Sequence, residues 1–170
     1  MAGRIIGAPA PKPGPRIEVL RVTASTWHHF AIVSTAPFGK RIHWYGGRSH
    51  ECTQKNDDAE VRCHGCREEW PSKWKGYLDV IQMPTQKRAF LEITATAWEI
   101  LDALVPDEWS LRGLHIKVAK TKGGRYGRYQ IELLASKTPI ELLPREMDPS
   151  QILEFLWRSK NRYGQNDETK

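Results

Sequence analysis

All three cysteines of this 170-residue chain lie between Cys52 and Cys66, and their spacing constrains the fold more than any other feature of the sequence. A Cys-x-x-Cys pair on a tight turn, here Cys63-His64-Gly65-Cys66, offers two sulfurs to one tetrahedral ion, and Cys52 supplies a third. The fourth ligand is a histidine: His43, His50 or His64. His64 sits inside the knuckle and is badly aimed at the same ion, so His43 is preferred and His50 stays open. Other uses of the cysteines fit less well. Three cysteines do not close into a set of disulfides, and the N-terminus has no export pattern, which together point to a reducing, cytoplasmic compartment. A redox pair would open a helix in a βαβ unit, whereas this pair follows a charged, turn-like run. Catalytic deaminase zinc needs His-x-Glu and Pro-Cys-x-x-Cys. Here Arg62 precedes Cys63 and no histidine has a glutamate two residues on. The segment is therefore read as a structural zinc lobe spanning 43–70.

Charge distribution bears on the partner. The net charge is +6, modest in sum but uneven along the chain. Residues 1–48 carry seven Lys/Arg and one acid, residues 111–130 carry six and none, and the stretch between them is acidic. Two basic blocks can form one positive surface if the fold joins them, and nucleic acid is the first acidic partner to consider. No apolar run approaches the ~20 residues that span a bilayer.

Taken in order, residues 1–16 alternate proline with small and basic residues and read as a flexible arm. A strand is expected from Ile17, a second over Trp27–Thr35, a turn at Pro37–Lys40, and a third strand over Arg41–Tyr45 that bends at Gly46-Gly47 into the lobe. His28 and His29 read as ordinary strand histidines. After the knuckle, Trp70, Lys73, Trp74, Lys75 and Tyr77 interleave aromatics with cations, the pattern of a surface that stacks bases while neutralising phosphates. The alternative is that Trp70, Trp74 and Tyr77 cover the lobe and fill the core. Leu78–Gln82 and Phe90–Ile93 read as strands, and Thr96-Ala97-Trp98-Glu99 as a capping box opening a short helix that Pro106 ends.

Leu111–Val118 and Gly127–Leu134 are strands joined by a basic hairpin loop bearing Lys120, Lys122, Arg125, Tyr126 and Arg128. Its Gly123-Gly124 pair supplies turn geometry and lacks the Gly-Lys-Ser/Thr of a phosphate-binding loop. Asp148-Pro149 starts a C-terminal helix within 145–163, with an apolar side from Ile152 to Trp157, and residues 164–170 read as a loose tail. The order is mainly β, with a short helix before the last two strands and a zinc insertion. It fits an OB-like five-stranded Greek-key barrel over 17–144, whose binding groove both basic blocks would border.

The run from His43 to Cys66, one histidine, an isolated cysteine and a closing Cys-x-x-Cys in a β-rich basic domain, resembles the zinc subdomain of the T-even-phage type of single-stranded-DNA-binding protein. The stretch Lys73-Trp74-Lys75-Gly76-Tyr77-Leu78 also resembles uncharacterised phage and mobile-element proteins. The resemblance implies zinc held by His43, Cys52, Cys63 and Cys66 and an OB-type cleft for single-stranded DNA, with a role in replication or recombination. The expectation is a sequence-tolerant single-strand binder with no chemistry of its own. Lys73, Lys75, Lys120, Lys122, Arg125 and Arg128 would meet phosphates, and Trp44, Tyr45, Trp74, Tyr77 and Tyr126 would stack on bases. Rival readings are a zinc-stabilised module whose C-terminal helix engages a replication or recombination protein, and a metal-dependent nuclease using the acidic loop Asp57, Asp58, Glu60.

Overall fold

The structure, a computed structural model, describes residues 18–53, 63–122 and 128–162, the last five of these by backbone alone. The expected arm, tail and acidic loop, together with Arg125 and Tyr126, lie outside the described residues. The architecture is mainly β, as expected. The strands are β1 (Glu18–Leu20), β2 (His28–Ile32), β3 (Phe38–Tyr45), β4 (Arg48–Glu51), β5 (Ser72–Met83), β6 (Lys87–Thr94), β7 (Leu114–Lys120) and β8 (Tyr129–Lys137), with helices α1 (His64–Arg67), α2 (Ala95–Leu104) and α3 (Pro149–Arg162). All eight strands belong to one mixed sheet in the order β1-β6-β5-β2-β7-β8, and β3 also pairs with β5 and with β4.

The strand count exceeds five because the lobe hairpin β3–β4 extends the sheet and because the line preceding it is broken in two. Both β2 and β3 run antiparallel to β5, His29 to Ile32 opposite Met83 to Val80 and Phe38 to His43 opposite Tyr77 to Ser72. Most of the expected turn at Pro37–Lys40 is strand, Phe38–Lys40 opening β3, and the break before it is a bulge. The chain steps out over 33–37, its Val33 and Ser34 amides donate to the Asp79 carbonyl, and it rejoins the same neighbour. At the rejoining point Gly39 faces Gly76, and the Trp74 indole lies flat across both. A Cβ on Gly76 would collide with the indole edge, so only this glycine pair lets the ring settle on the backbone.

The sheet curls. The Tyr129 hydroxyl on β8 reaches the Glu92 carbonyl on β6 at 3.5 Å, although three strands separate them in the sheet order. An open, barrel-like sheet is compatible with this contact. Strand alternation assigns the two faces. Leu78, Val80, Leu91, Ile93, Phe30, Ile32, Ile116 and Val118 line the inner face and form the main core with Ala97 and Leu101 of α2. Each such fully buried side chain contributes about 1.5–3 kcal/mol. Phe38, Tyr77 and Phe90 lie on the outer face, where Ile152, Leu156 and Trp157 of α3 cover them.

Helix starts follow local chemistry. Asp148 caps α3, its carboxylate accepting from the Ser150 amide at 2.8 Å, with Pro149 first in the helix as the sequence suggests. The cap of α2 is Thr94, whose hydroxyl accepts from the Ala97 amide, rather than Thr96. Thr94 is still paired with Lys75 in the β5–β6 ladder, so the last strand residue doubles as the cap. Among the described residues no helix is long and apolar enough to cross a membrane.

Candidate metal centre

Gly46 and Gly47, both at positive φ, turn β3 into β4 with Tyr45 opposite Arg48 and His43 opposite His50. The ladder ends as the Cys52 amide donates to the Arg41 carbonyl, fixing Cys52 beside β3. On the other side, Cys63 opens the single turn α1, closed by Arg67 donating to the Cys63 carbonyl and Trp70 to the Gly65 carbonyl. These two local structures bring four ligand atoms, from His43, Cys52, Cys63 and Cys66, within 4.8 Å of one another. Cys52 Sγ lies 3.6 Å from Cys66 Sγ and 4.0 Å from Cys63 Sγ, and His43 Nε2 lies 3.4 Å from Cys66 Sγ. A tetrahedral ion with sulfur at ~2.3 Å and nitrogen at ~2.0 Å has S–S edges of ~3.8 Å and N–S edges of ~3.5 Å. The donor set fits such an ion.

The three histidines sort by orientation. His43 is buried, and its Nδ1–H donates to the Trp70 carbonyl at 2.9 Å, which leaves the Nε2 lone pair for the ion. A ligating histidine commonly has its far nitrogen held in this way. His50 lies parallel to the Tyr45 ring at 3.6 Å between centroids, and its Nε2 bonds the Tyr45 carbonyl. His64 stands edge-on to Tyr45 and Trp70. Tyr45, His50, His64 and Trp70 thus form a small aromatic box that packs the lobe.

Gly65 is the tightest point. A Cβ there would overlap His43 Cγ, so the knuckle backbone rests on the imidazole. Gly65→Ala is expected to tilt His43 and weaken metal retention by about 1–3 kcal/mol, the usual range for overpacking, measured by competition with a chromophoric chelator.

The thiols show why a cation belongs here. Burial raises Cys63, but hydrogen bonds from the Cys66 and Thr53 amides and from the neighbouring thiols outweigh it and bring it down to about 6. Burial, with the hydrogen bonds to Cys63 and Cys52, pushes Cys66 up to about 12. Without an ion the sulfurs share their protons; a bound cation lets all of them ionise.

The other sequence-nominated residues separate. Trp44 stands on the outer face of β3, 66% exposed. Lys73, opposite Ile42, is its diagonal neighbour on that face and has no carboxylate at ion-pair distance among the described residues. Lys75 shares the face but pairs with Glu92 at 3.1 Å. Trp74 points to the inner face, so the Lys73-Trp74-Lys75 run does not present one surface. Alternation along a strand separates such neighbours. Of the stacking candidates, Tyr77 is buried under α3, and Tyr45 is held in the aromatic box. Lys120 stacks its ammonium over Tyr129, and Lys122 and Arg128 lie next to the ends of β7 and β8. In the ladder register the Lys120–Tyr129 end of β7 and β8 lies on the Met83 side of β5, whereas the metal lobe lies on the Ser72 side.

One cluster has no counterpart in the sequence reading. His29 Nε2 and His115 Nδ1 are 3.0 Å apart, and His115 Nε2 meets the Thr138 hydroxyl at 2.7 Å. Burial first, and then the neighbouring His29, lower the His115 pKa. Only the β2–β7 pairing joins these residues, and no local signal announces it.

Fold and ligand cluster together define a class: a mainly β domain carrying a lobe of one histidine and three cysteines able to hold a metal ion. No protein-family model, curated protein or solved structure matches the chain.

Proposed function

We propose that the ion is a structural zinc and that the domain binds single-stranded nucleic acid, DNA first, without sequence preference, on the outer face beside the lobe. Four protein ligands close the coordination shell and leave no position for a reacting water, as in structural sites. The zinc fixes the strand on which Trp44 stands.

The observation that carries the binding reading is Trp44, a large indole exposed on β3, with Lys73, which has no carboxylate at ion-pair distance among the described residues, diagonal to it. An aromatic face beside a cation is the unit of sequence-tolerant single-strand binding, the ring stacking on any base and the cation neutralising phosphate. Lys40, on the same face, pairs with Glu51 at 2.8 Å, while alternation puts Arg41 and Arg48 on the opposite face of the hairpin. Cation release then makes affinity fall with salt.

The test is an anisotropy titration of a labelled oligothymidylate at several salt concentrations. Trp44→Ala is expected to lose about 1–3 kcal/mol of binding at every salt. Lys73→Ala should lower the log–log salt slope by ~0.7. Affinity that ignores salt, or is unchanged in both variants, would rule this reading out.

A further inference from the structure

The outer face does not end at Trp44. Along β3 the residues Phe38, Lys40, Ile42 and Trp44 share that face, and across the ladder Phe38 meets Tyr77 and Lys40 meets Lys75. Phe38 stacks on Tyr77 with centroids 6.0 Å apart and meets Phe90 edge-on at 5.9 Å, so three adjacent strands each contribute one aromatic ring. Lys73 lies between this triad and Trp44, with Lys40, paired to Glu51, and Lys75, paired to Glu92, on the same face. Such a row of rings and ammonium groups is what a single strand would follow, but its inner half is covered by α3.

Open clefts flank the cover. Ile152, Leu156 and Trp157 touch the triad, yet a cavity of about 480 Å³ opens on one side of the helix among Phe90, Arg145, Met147, Ile152 and Phe155. Another of about 310 Å³ opens among Val19, Arg21, Tyr77, Glu92 and Leu156. Both clefts open to solvent at the edges of the helix, while Ile152, Leu156 and Trp157 themselves are buried. The main core lies on the opposite face with α2 and uses no residue of α3. A stretch without regular structure, 143–148, joins α3 to the rest of the chain.

We infer that α3 is a displaceable cover over the inner half of the nucleic-acid surface, and that a bound single strand takes its place on Phe38, Tyr77 and Phe90. This rests on the reading of the Trp44 patch given above. When the competent state is a fraction f of the molecules, the apparent Kd is the intrinsic Kd divided by f. Loosening α3 therefore tightens binding.

The experiment uses the full chain with its metal bound. Leu156→Ala is expected to bind labelled oligothymidylate about fivefold more tightly than the parent, by the relation between apparent affinity and open fraction. To keep the test independent of that variant's folding, amide exchange of residues 150–157 is followed in the parent chain with and without saturating oligonucleotide. Faster exchange of α3 in the complex supports displacement. Trp44-dependent binding with unchanged or slower exchange of α3, and no gain in Leu156→Ala, overturns the cover while leaving the Trp44 patch intact. No salt-sensitive binding by either chain overturns the patch and the cover together.

Discussion

On the proposed zinc assignment, Cys66→Ser is expected to leave the chain without bound metal, and His43→Ala to do the same, whereas His50→Ala and His64→Ala are expected to retain one zinc per chain in metal analysis. The asymmetry follows from orientation: His43 alone turns a free nitrogen toward the sulfurs, with its other nitrogen held by the Trp70 carbonyl. The effect should be large, because zinc binding by small Cys/His lobes contributes roughly 10–16 kcal/mol and nearly all of it is folding energy. Among the described residues the lobe has little else. Its packing is the box of Tyr45, His50, His64 and Trp70. Amide protection at 43–52 and 63–70 should therefore collapse on chelation while β5, β6 and β7 remain protected; uniform protection with and without metal would contradict this. Metal uptake displaces thiol protons, above all from Cys66, pushed up to about 12. Affinity must fall as pH is lowered, and zinc should leave in acid.

Arg88→Ala is expected to destabilise the domain by about 3–5 kcal/mol, read from urea unfolding, because it strands a buried charge. The Asp79 side chain is 1% exposed and its carboxylate is gripped by both Arg88 Nε and Nη2. The same guanidinium donates to the Arg145 carbonyl, tying down the connection that leads to α3. The Asp79 backbone meanwhile holds the bulge between β2 and β3, accepting from Val33 and Ser34 and donating to the Ser34 hydroxyl. The double variant Asp79→Ala with Arg88→Ala should recover part of the loss, since neither partner is then left alone. Equal losses for the single and double variants would show that the ion pair is not the source.

How much of this is readable from sequence depends on the range of each interaction. The sulfur ligands, the glycine turn at 46–47 and the Asp148-Pro149 helix start are short-range devices, set by residues within a few positions of one another. The cap of α2 falls at Thr94, two residues before the expected Thr96, because the two threonines are equivalent candidates locally. Where β6 ends on its ladder with β5 decides between them. The run Lys73-Trp74-Lys75 reads as one mixed surface, and only the pairing register shows that an extended chain sends its members to opposite faces. Tyr77 belongs to the core because α3, distant in sequence, covers it.

By itself the sequence determined a β-rich domain with a metal-ligating lobe, because ligand chemistry, turn residues and alternating hydrophobicity act over a handful of neighbours. Tertiary structure decided which histidine completes the ligand set, which aromatics remain exposed, and that β2 and β3 form one interrupted line along β5. Those outcomes depend on groups many residues apart, such as Trp70 with His43 and α3 with Phe38. Only the pairing register of the sheet and the docking of the last helix bring such groups together.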